Sequence, residues 1–384
     1  MGIAQTQLTN LFGFCILLGD PYAKYTVNQV KKLSKVKAFM KRKNIEISFK
    51  RYGIDALGAM AQGLFCSLLI GTIIGTIGSL TGAEFLTQIG GYTKDVCGVA
   101  MAVAIGYALK ADPMVLFSLA TVGYAANALG GAGGPLAVLV IAIIAAEFGK
   151  AVSKETKIDI LVTPAVTILV GVGLSALIAK PIGDAANAFG GLIKYATELQ
   201  PFLMGITVSV LVGIALTLPI SSAAICAALG LTGLAGGAAV AGCCAQMVGF
   251  AVISFRENRW GGLVSQGLGT SMLQMPNIMK NPRVWIAPTA ASAITGPIAT
   301  CVFHLQMNGA AVNSGMGTCG LCGPIGVLTG WFTPPEGVAA INPTAMDWIG
   351  LVLICIVLPA VLSLLINLPL RKLGWVKDGD LKLA

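Results

Sequence analysis

Apolar positions in this chain come in blocks, without the stripes of a surface helix or the alternation of a half-buried strand. Residues 55–80, 158–179, 201–219, 285–307 and 346–370 each hold no charge or one, and polar or charged residues bound each block. Each is long enough for a helix to cross the roughly 30 Å of hydrocarbon in a bilayer. Less regular stretches lie between them. Residues 96–109, 115–129 and 135–148 are short and interrupted by Gly130-Gly-Ala-Gly-Gly134, and 221–255 is long enough to fold into two passes.

In lipid every backbone N–H and C=O must be satisfied within the protein, which leaves helices or a closed barrel. The blocks are too long for barrel strands and lack their period of two. The pattern predicts an all-α integral membrane protein, a polytopic bundle of about ten membrane elements with re-entrant or broken helices. Composition agrees: 56% of the residues are hydrophobic and 11% charged, against roughly 25% charged in a soluble domain. Many of the 49 glycines fall in small-xxx-small spacing, as at Gly71, Gly75 and Gly78, and are read as helix-packing positions.

Charge adds orientation. Ten cations lie between Lys24 and Arg51, opposed there only by Glu46. Short basic segments beside a span stay in the cytoplasm, so the N-terminal side of the first span is expected inside. Arg371, Lys372, Lys377 and Lys382 place the C-terminus there too, and an even number of crossings follows. The net charge of +9 is read as topology and as attraction to anionic membrane lipid, with no nucleic acid partner. Residues 8–18 are too short to span and have no signal-peptide character; they are expected along the membrane surface. The expected organisation is a basic cytoplasmic or interfacial segment over 1–52, a membrane domain over 53–370 and a cytoplasmic tail over 371–384, too short to fold alone.

Candidate chemistry is sought where polar groups or helix breakers fall at membrane depth, because such groups cost free energy unless they pack on protein or line water. Thr217-Leu-Pro-Ile-Ser-Ser222 ends one apolar run and begins another, as a broken helix does, and offers Ser221 and Ser222. Gly267-Leu-Gly-Thr-Ser-Met-Leu-Gln-Met-Pro-Asn277 mixes glycines with uncharged donors and acceptors, among them Gln274 and Asn277, suited to a polyhydroxyl solute. The single histidine, His304, lies near Asn313 in sequence. Asn127 precedes the glycine break, and Gln246 sits inside an apolar run. Glu147 is expected to pair with Lys150 one turn on. These eight polar residues, Asn127, Ser221, Ser222, Gln246, Gln274, Asn277, His304 and Asn313, are the candidate solute contacts.

No catalytic residue, metal site or cofactor is predicted. The 10 cysteines lie mostly in apolar runs and imply no disulfide framework, and Cys319-Gly-Leu-Cys322 has no second pair to complete a zinc set. Phosphate-loop, HExxH and GxSxG motifs are absent.

Some segments resemble a known family. Lys157-Ile-Asp-Ile-Leu-Val-Thr-Pro-Ala-Val-Thr-Ile-Leu-Val-Gly171 is similar to a span of fructose-type phosphotransferase permeases. Asn281-Pro-Arg-Val-Trp-Ile-Ala-Pro288, continuing to Gly296-Pro297, resembles a late span of sugar permease subunits. With residues 217–222 and 315–326, they look most like the compact EIIC-like branch that includes a regulator of toxin production in clostridia. The resemblance covers most of the chain after Arg51. It implies a homodimeric permease of the bacterial inner membrane that holds a sugar-like small polar solute and works with separate EIIB and EIIA proteins. The Gly-Ile-Thr-Glu signature of glucose-type permeases is missing, so its glutamate transfers to no residue here.

The expected function is transport of a sugar or similar solute by alternating access. A membrane sensor that keeps the permease fold and signals to a cytoplasmic partner is the alternative, and a secondary carrier uncoupled from phosphorylation is a further one.

Overall fold

A computed structural model describes residues 35–332 and 342–383; the segment 8–18 and the cluster's Lys24, Lys31 and Lys32 lie outside the described residues. The chain divides into two units, Met1–Ile47 and Ser48–Ala384. In the first, residues 35–42 are helical, and Arg42 and Lys43 lie over the Phe39 ring. Everything that follows concerns the second.

The described residues of this unit are mostly helical, with one isolated bridge between Gly233 and Met307. Helix α1 comprises Lys50–Ala56, Leu57–Leu64, Phe65–Leu69 and Ile70–Thr81 in unbroken succession, with wide π turns in the first and third segments. Gly82 ends it in the left-handed conformation (φ +70°), which costs a residue without Cβ little. Helix α2 (Glu84–Asp95) folds back on the second half of α1, where Gly71, Gly75 and Gly78 face Thr93, Gly90 and Thr87. The small-xxx-small spacing is therefore used for packing. Helix α3 (Cys97–Ala108) lies along the first half of α1, with Gly63 against Ala100 and Met101.

Helices α4 (Pro113–Gly130) and α5 (Gly134–Val152) form an antiparallel hairpin: Val115 lies beside Gly149 at its open end and Asn127 beside Gly134 at its tip. Gly131, at φ +51°, makes the reversal. Helix α6 runs from Asp159–Leu174 through a π turn at Ser175–Ala179 into Lys180–Thr197, and only 22% of its most apolar window is buried within the protein. Ile160, Leu161, Leu169 and Leu177 on it face outward.

Helix α7 (Pro201–Thr217), the short α8 (Ser222–Ala228) and α9 (Gly233–Ile253) follow. Residues 221–255 thus hold one short helix and one long one instead of two passes, because the Gly-rich turn at 229–233 leaves α8 only seven residues. Helix α10 (Phe255–Val264), a π turn at Ser265–Gly269, a 3-10 turn at Ser271–Gln274 and α11 (Met275–Lys280) lead into Pro282–Trp285 and α12 (Ile286–Pro297, extended by Ile298–Val302). Helix α13 (Cys322–Phe332) and α14 (Ala345–Val352, Leu353–Val357, Leu358–Lys372) complete the unit.

Helix α9 is the centre, 94% buried over its apolar window, packed by α7, α12 and α14. Small residues allow this: Gly242 abuts the Ser209 carbonyl of α7, Gly213 abuts Gly242, and Gly296 of α12 abuts the Gly205 carbonyl. In lipid, where apolar burial between helices gains little, such close backbone approach supplies van der Waals attraction.

Six helical stretches are long and apolar enough to cross a membrane: Lys50–Ser79, Pro113–Val152, Asp159–Thr197, Gly233–Ile253, Pro282–Val302 and Ala345–Lys372. The second of these is the α4–α5 hairpin taken whole. Cys97–Ala108, Pro201–Thr217 and Cys319–Phe332 are shorter apolar helices. The chain is a multi-pass helical membrane protein.

Candidate solute site

Two uncharged polar networks lie inside the bundle, joined by the 3-10 turn Ser271–Gln274. The first centres on Gln246 of α9, whose side chain is completely buried. Its Oε1 accepts from the Trp285 indole N–H (2.8 Å) and from the Thr217 hydroxyl (3.3 Å), and its Nε2 donates to Thr289 Oγ1 (3.2 Å). The Thr217 hydroxyl also meets that of Ser271 at 2.8 Å. Ser292, one turn beyond Thr289, accepts weakly from Gln246 at 3.5 Å and receives the Ser209 hydroxyl on its carbonyl at 2.8 Å. Helices α7, α9 and α12 thereby share one set of hydrogen bonds.

The second network begins three residues along the same turn. Gln274 Oε1 accepts from Asn277 (2.8 Å), Gln274 Nε2 donates to Gln266 Oε1 (2.8 Å), and Gln266 Nε2 donates to Ser254 Oγ (2.8 Å). The remaining donors of Gln274 and Asn277 reach the backbone carbonyls of Leu381 and Lys382, both at 2.9 Å. Gln266 and Gln274 are fully buried, and Asn277 nearly so. Three carboxamides at such close quarters satisfy buried polar groups without a charge that would need a counter-ion.

Asn277 lines a cavity of about 580 Å3 between α1, α3, α11 and the C-terminal residues. Asp55, Gln62, Ser265, Lys280 and Lys382 supply its other polar groups, among apolar walls that include Phe65 and Tyr107. Gln62 and Cys66 are exposed to it well inside the first apolar span. A carboxamide at that depth belongs beside water, not hydrocarbon.

Of the eight residues proposed from sequence, Gln246, Gln274 and Asn277 enter these networks. The others do not. Ser221 caps α8, accepting from the Ala224 N–H at 3.2 Å, and its own N–H donates to the Ala132 carbonyl at the α4–α5 tip, 2.8 Å away. Ser222 donates to the Gly315 carbonyl at 2.7 Å, and Asn127 donates to Cys97 Sγ at 3.4 Å. Asn313 packs on Gly326. His304 is exposed and stands at φ +47°, where the chain turns away from the α12 extension. Glu147 is ion-paired with Lys150 at 2.9 Å, as its spacing predicts, and also accepts from the Tyr52 hydroxyl. Lys150 and Arg51 both donate to the Leu109 carbonyl at the end of α3. Lys154, in the loop after α5, donates at 2.6 Å to Asp112 at the start of α4, and the carboxylate holds its ammonium above the ordinary lysine range.

Gln266, Ser254, Thr217, Ser271, Trp285, Thr289 and Ser292 are not among the candidate contacts read from sequence, although Thr217 and Ser271 lie in segments singled out there. A signal exists for three of them: Trp285, Thr289 and Ser292 recur at spacings of four and three, one face of a helix. Among the described residues no cluster of three His, Cys, Asp or Glu side chains fits a metal ion, and every described cysteine is a free thiol.

The bundle, with its buried uncharged networks beside a cavity of apolar walls and a few polar groups, has the make-up of a membrane permease. The family model described as phosphotransferase system, EIIC, matches residues 54–383, and the chain belongs to that family. Membership implies in general a sugar-type substrate and EIIB and EIIA partners. No curated protein and no solved structure matches the chain.

Proposed function

We propose that this EIIC chain carries a sugar or similar small polar solute by alternating access, with Asn277 in the wall of the 580 Å3 cavity and Gln274, hydrogen-bonded to it from the buried side, as solute contacts. The observation that carries the reading is the broken segment 265–280, where buried carboxamides free of charge reach, through Asn277, a mostly apolar cavity with a few polar groups. Amide and hydroxyl groups pair with sugar hydroxyls as both donors and acceptors. Helices interrupted at a binding site are the usual way for transporters to expose such groups within a membrane.

The cavity opens toward the cytoplasm of a bacterial inner membrane on this reading. Lys280 and Lys382 stand at its mouth, and Arg51, Lys150 and Arg371 lie at the same end of the bundle, the distribution expected of an inward-facing surface. Both termini are then cytoplasmic. The residues quoted from 157–171 and 281–297 support placement in the compact EIIC-like branch, and a homodimer served by separate EIIB and EIIA proteins is the proposed working form.

Uptake of radiolabelled fructose, glucose, mannose and mannitol into proteoliposomes tests the reading. With EIIA, EIIB and phosphoenolpyruvate supplied, at least one sugar is expected to accumulate, and Asn277→Ala to slow its uptake about tenfold, the equivalent of one lost buried hydrogen bond or slightly more. Binding without flux would leave the sensor in place of the permease. Flux that needs no phosphoenolpyruvate would leave an uncoupled carrier.

A further inference from the structure

Residues 373–383 do not trail away from the bundle. Arg371, where they begin, is paired with Glu257 at 2.8 Å and Asp378 at 2.6 Å. Asn281 donates to the Trp375 carbonyl (2.9 Å) and to Asp380 (2.8 Å), and Arg283 stacks on the Trp375 ring. The Leu381 carbonyl accepts from Gln274 (2.9 Å) and Asn258 (2.8 Å), the Lys382 carbonyl accepts from Asn277 (2.9 Å), and the Leu383 N–H donates to Asn258 Oδ1 (2.9 Å). Lys382 and Leu383 also form part of the wall of the 580 Å3 cavity and of a second one of about 310 Å3.

A peptide carbonyl offers an amide N–H the same kind of acceptor as a sugar hydroxyl does. Gln274 and Asn277 each direct an N–H at a tail carbonyl, so the docked tail takes the donors that a solute would use. We propose that residues 373–383 are an intramolecular plug: tail docking and solute binding at Gln274 and Asn277 exclude one another, and the solute must displace the tail to occupy them. This rests on the reading of Gln274 and Asn277 as solute contacts.

The attachment suits a displaceable element. Of residues 373–383 only Val376 and Leu381 are buried. Asp378 is 81% exposed, where an ion pair contributes little. Gly374 (φ +69°) and Gly379 (φ +93°) punctuate the segment with left-handed turns, places where the chain can change direction without side-chain strain. The remaining hold is the burial of Val376 and Leu381, the stacking of Trp375 on Arg283, and hydrogen bonds, of which those from Gln274 and Asn277 can pass to a hydroxylated solute without leaving a buried donor unpaired.

Asn258→Ala separates this proposal from a permanent structural cap. Asn258 bonds the tail twice and lines neither cavity. The full chain in nanodiscs is titrated with the same four radiolabelled sugars, and amide hydrogen exchange of residues 376–383 is followed with and without sugar. The expected result is faster exchange in that segment when a sugar binds, and binding roughly fivefold to thirtyfold tighter in Asn258→Ala, as one or two lost tail bonds would give. Leu381→Asp should act the same way; if it does not fold, Asn258→Ala carries the test alone. Sugar binding with unchanged tail exchange, or wild-type or weaker affinity in Asn258→Ala, overturns the plug and leaves the permease intact. Failure of every form to bind any of the four sugars overturns both.

Discussion

Position 246 holds a carboxamide in the middle of a helix otherwise built of Gly, Ala, Cys, Met, Val, Leu, Phe and Ile. Its polarity alone singles it out in the sequence, since an amide in an apolar run must find partners or line water. Which partners it finds is not written nearby: the Trp285 indole and Thr217 lie 39 and 29 residues away. Gln246→Ala leaves the Trp285 N–H and the Thr217 hydroxyl without their shared acceptor. It is expected to destabilise the protein by about 2 kcal/mol, read as a lower unfolding midpoint by circular dichroism in detergent. His304 gives the converse lesson. Its rarity draws attention, yet it is exposed at φ +47° and enters neither polar network, which no count of residue types reveals.

Between helices, glycine carries the specificity. A Cβ on Gly242 would collide with the Ser209 carbonyl, whereas Gly191 on the second half of α6 has nothing within 4 Å of such an atom. Gly242→Ala must push α7 from α9, and is expected to reduce the monodisperse yield on size-exclusion chromatography and lower the unfolding midpoint by the equivalent of about 1 to 3 kcal/mol. Gly191→Ala should be neutral or stabilising by roughly 0.5 to 1 kcal/mol, because alanine favours the helix and meets no neighbour. The two substitutions look alike in sequence. Small-xxx-small spacing announced a packing role for Gly71, Gly75 and Gly78, and Gly130-Gly-Ala-Gly-Gly134 announced a break that became the α4–α5 reversal. The fate of residues 221–255 was less legible, because a long apolar run does not record where a seven-residue helix ends.

For the molecule as a whole, the asymmetry of Lys and Arg makes a sided prediction. A green fluorescent protein fused after Ala384 is expected to fluoresce and an alkaline phosphatase fused there to be inactive, since only the first matures in the cytoplasm while the second needs an oxidising compartment. An active phosphatase would reverse the topology and turn the cavity outward. The tail shows how far the whole exceeds its parts. Residues 371–384 are too few to fold alone, yet in the bundle residues 373–383 lie against the candidate solute site.

From the sequence alone come the membrane as solvent, the helical class and the polar residues worth following. These depend on local, additive terms: the transfer free energy of apolar blocks and the need of each backbone group for a partner within its own helix. The tertiary structure alone decides which polar groups meet. Gln274 and Leu381 are 107 residues apart, Arg371 and Glu257 114, Asn258 and Leu381 123. A hydrogen bond depends on distance and direction in space, and over such separations sequence spacing fixes neither until the helices have packed.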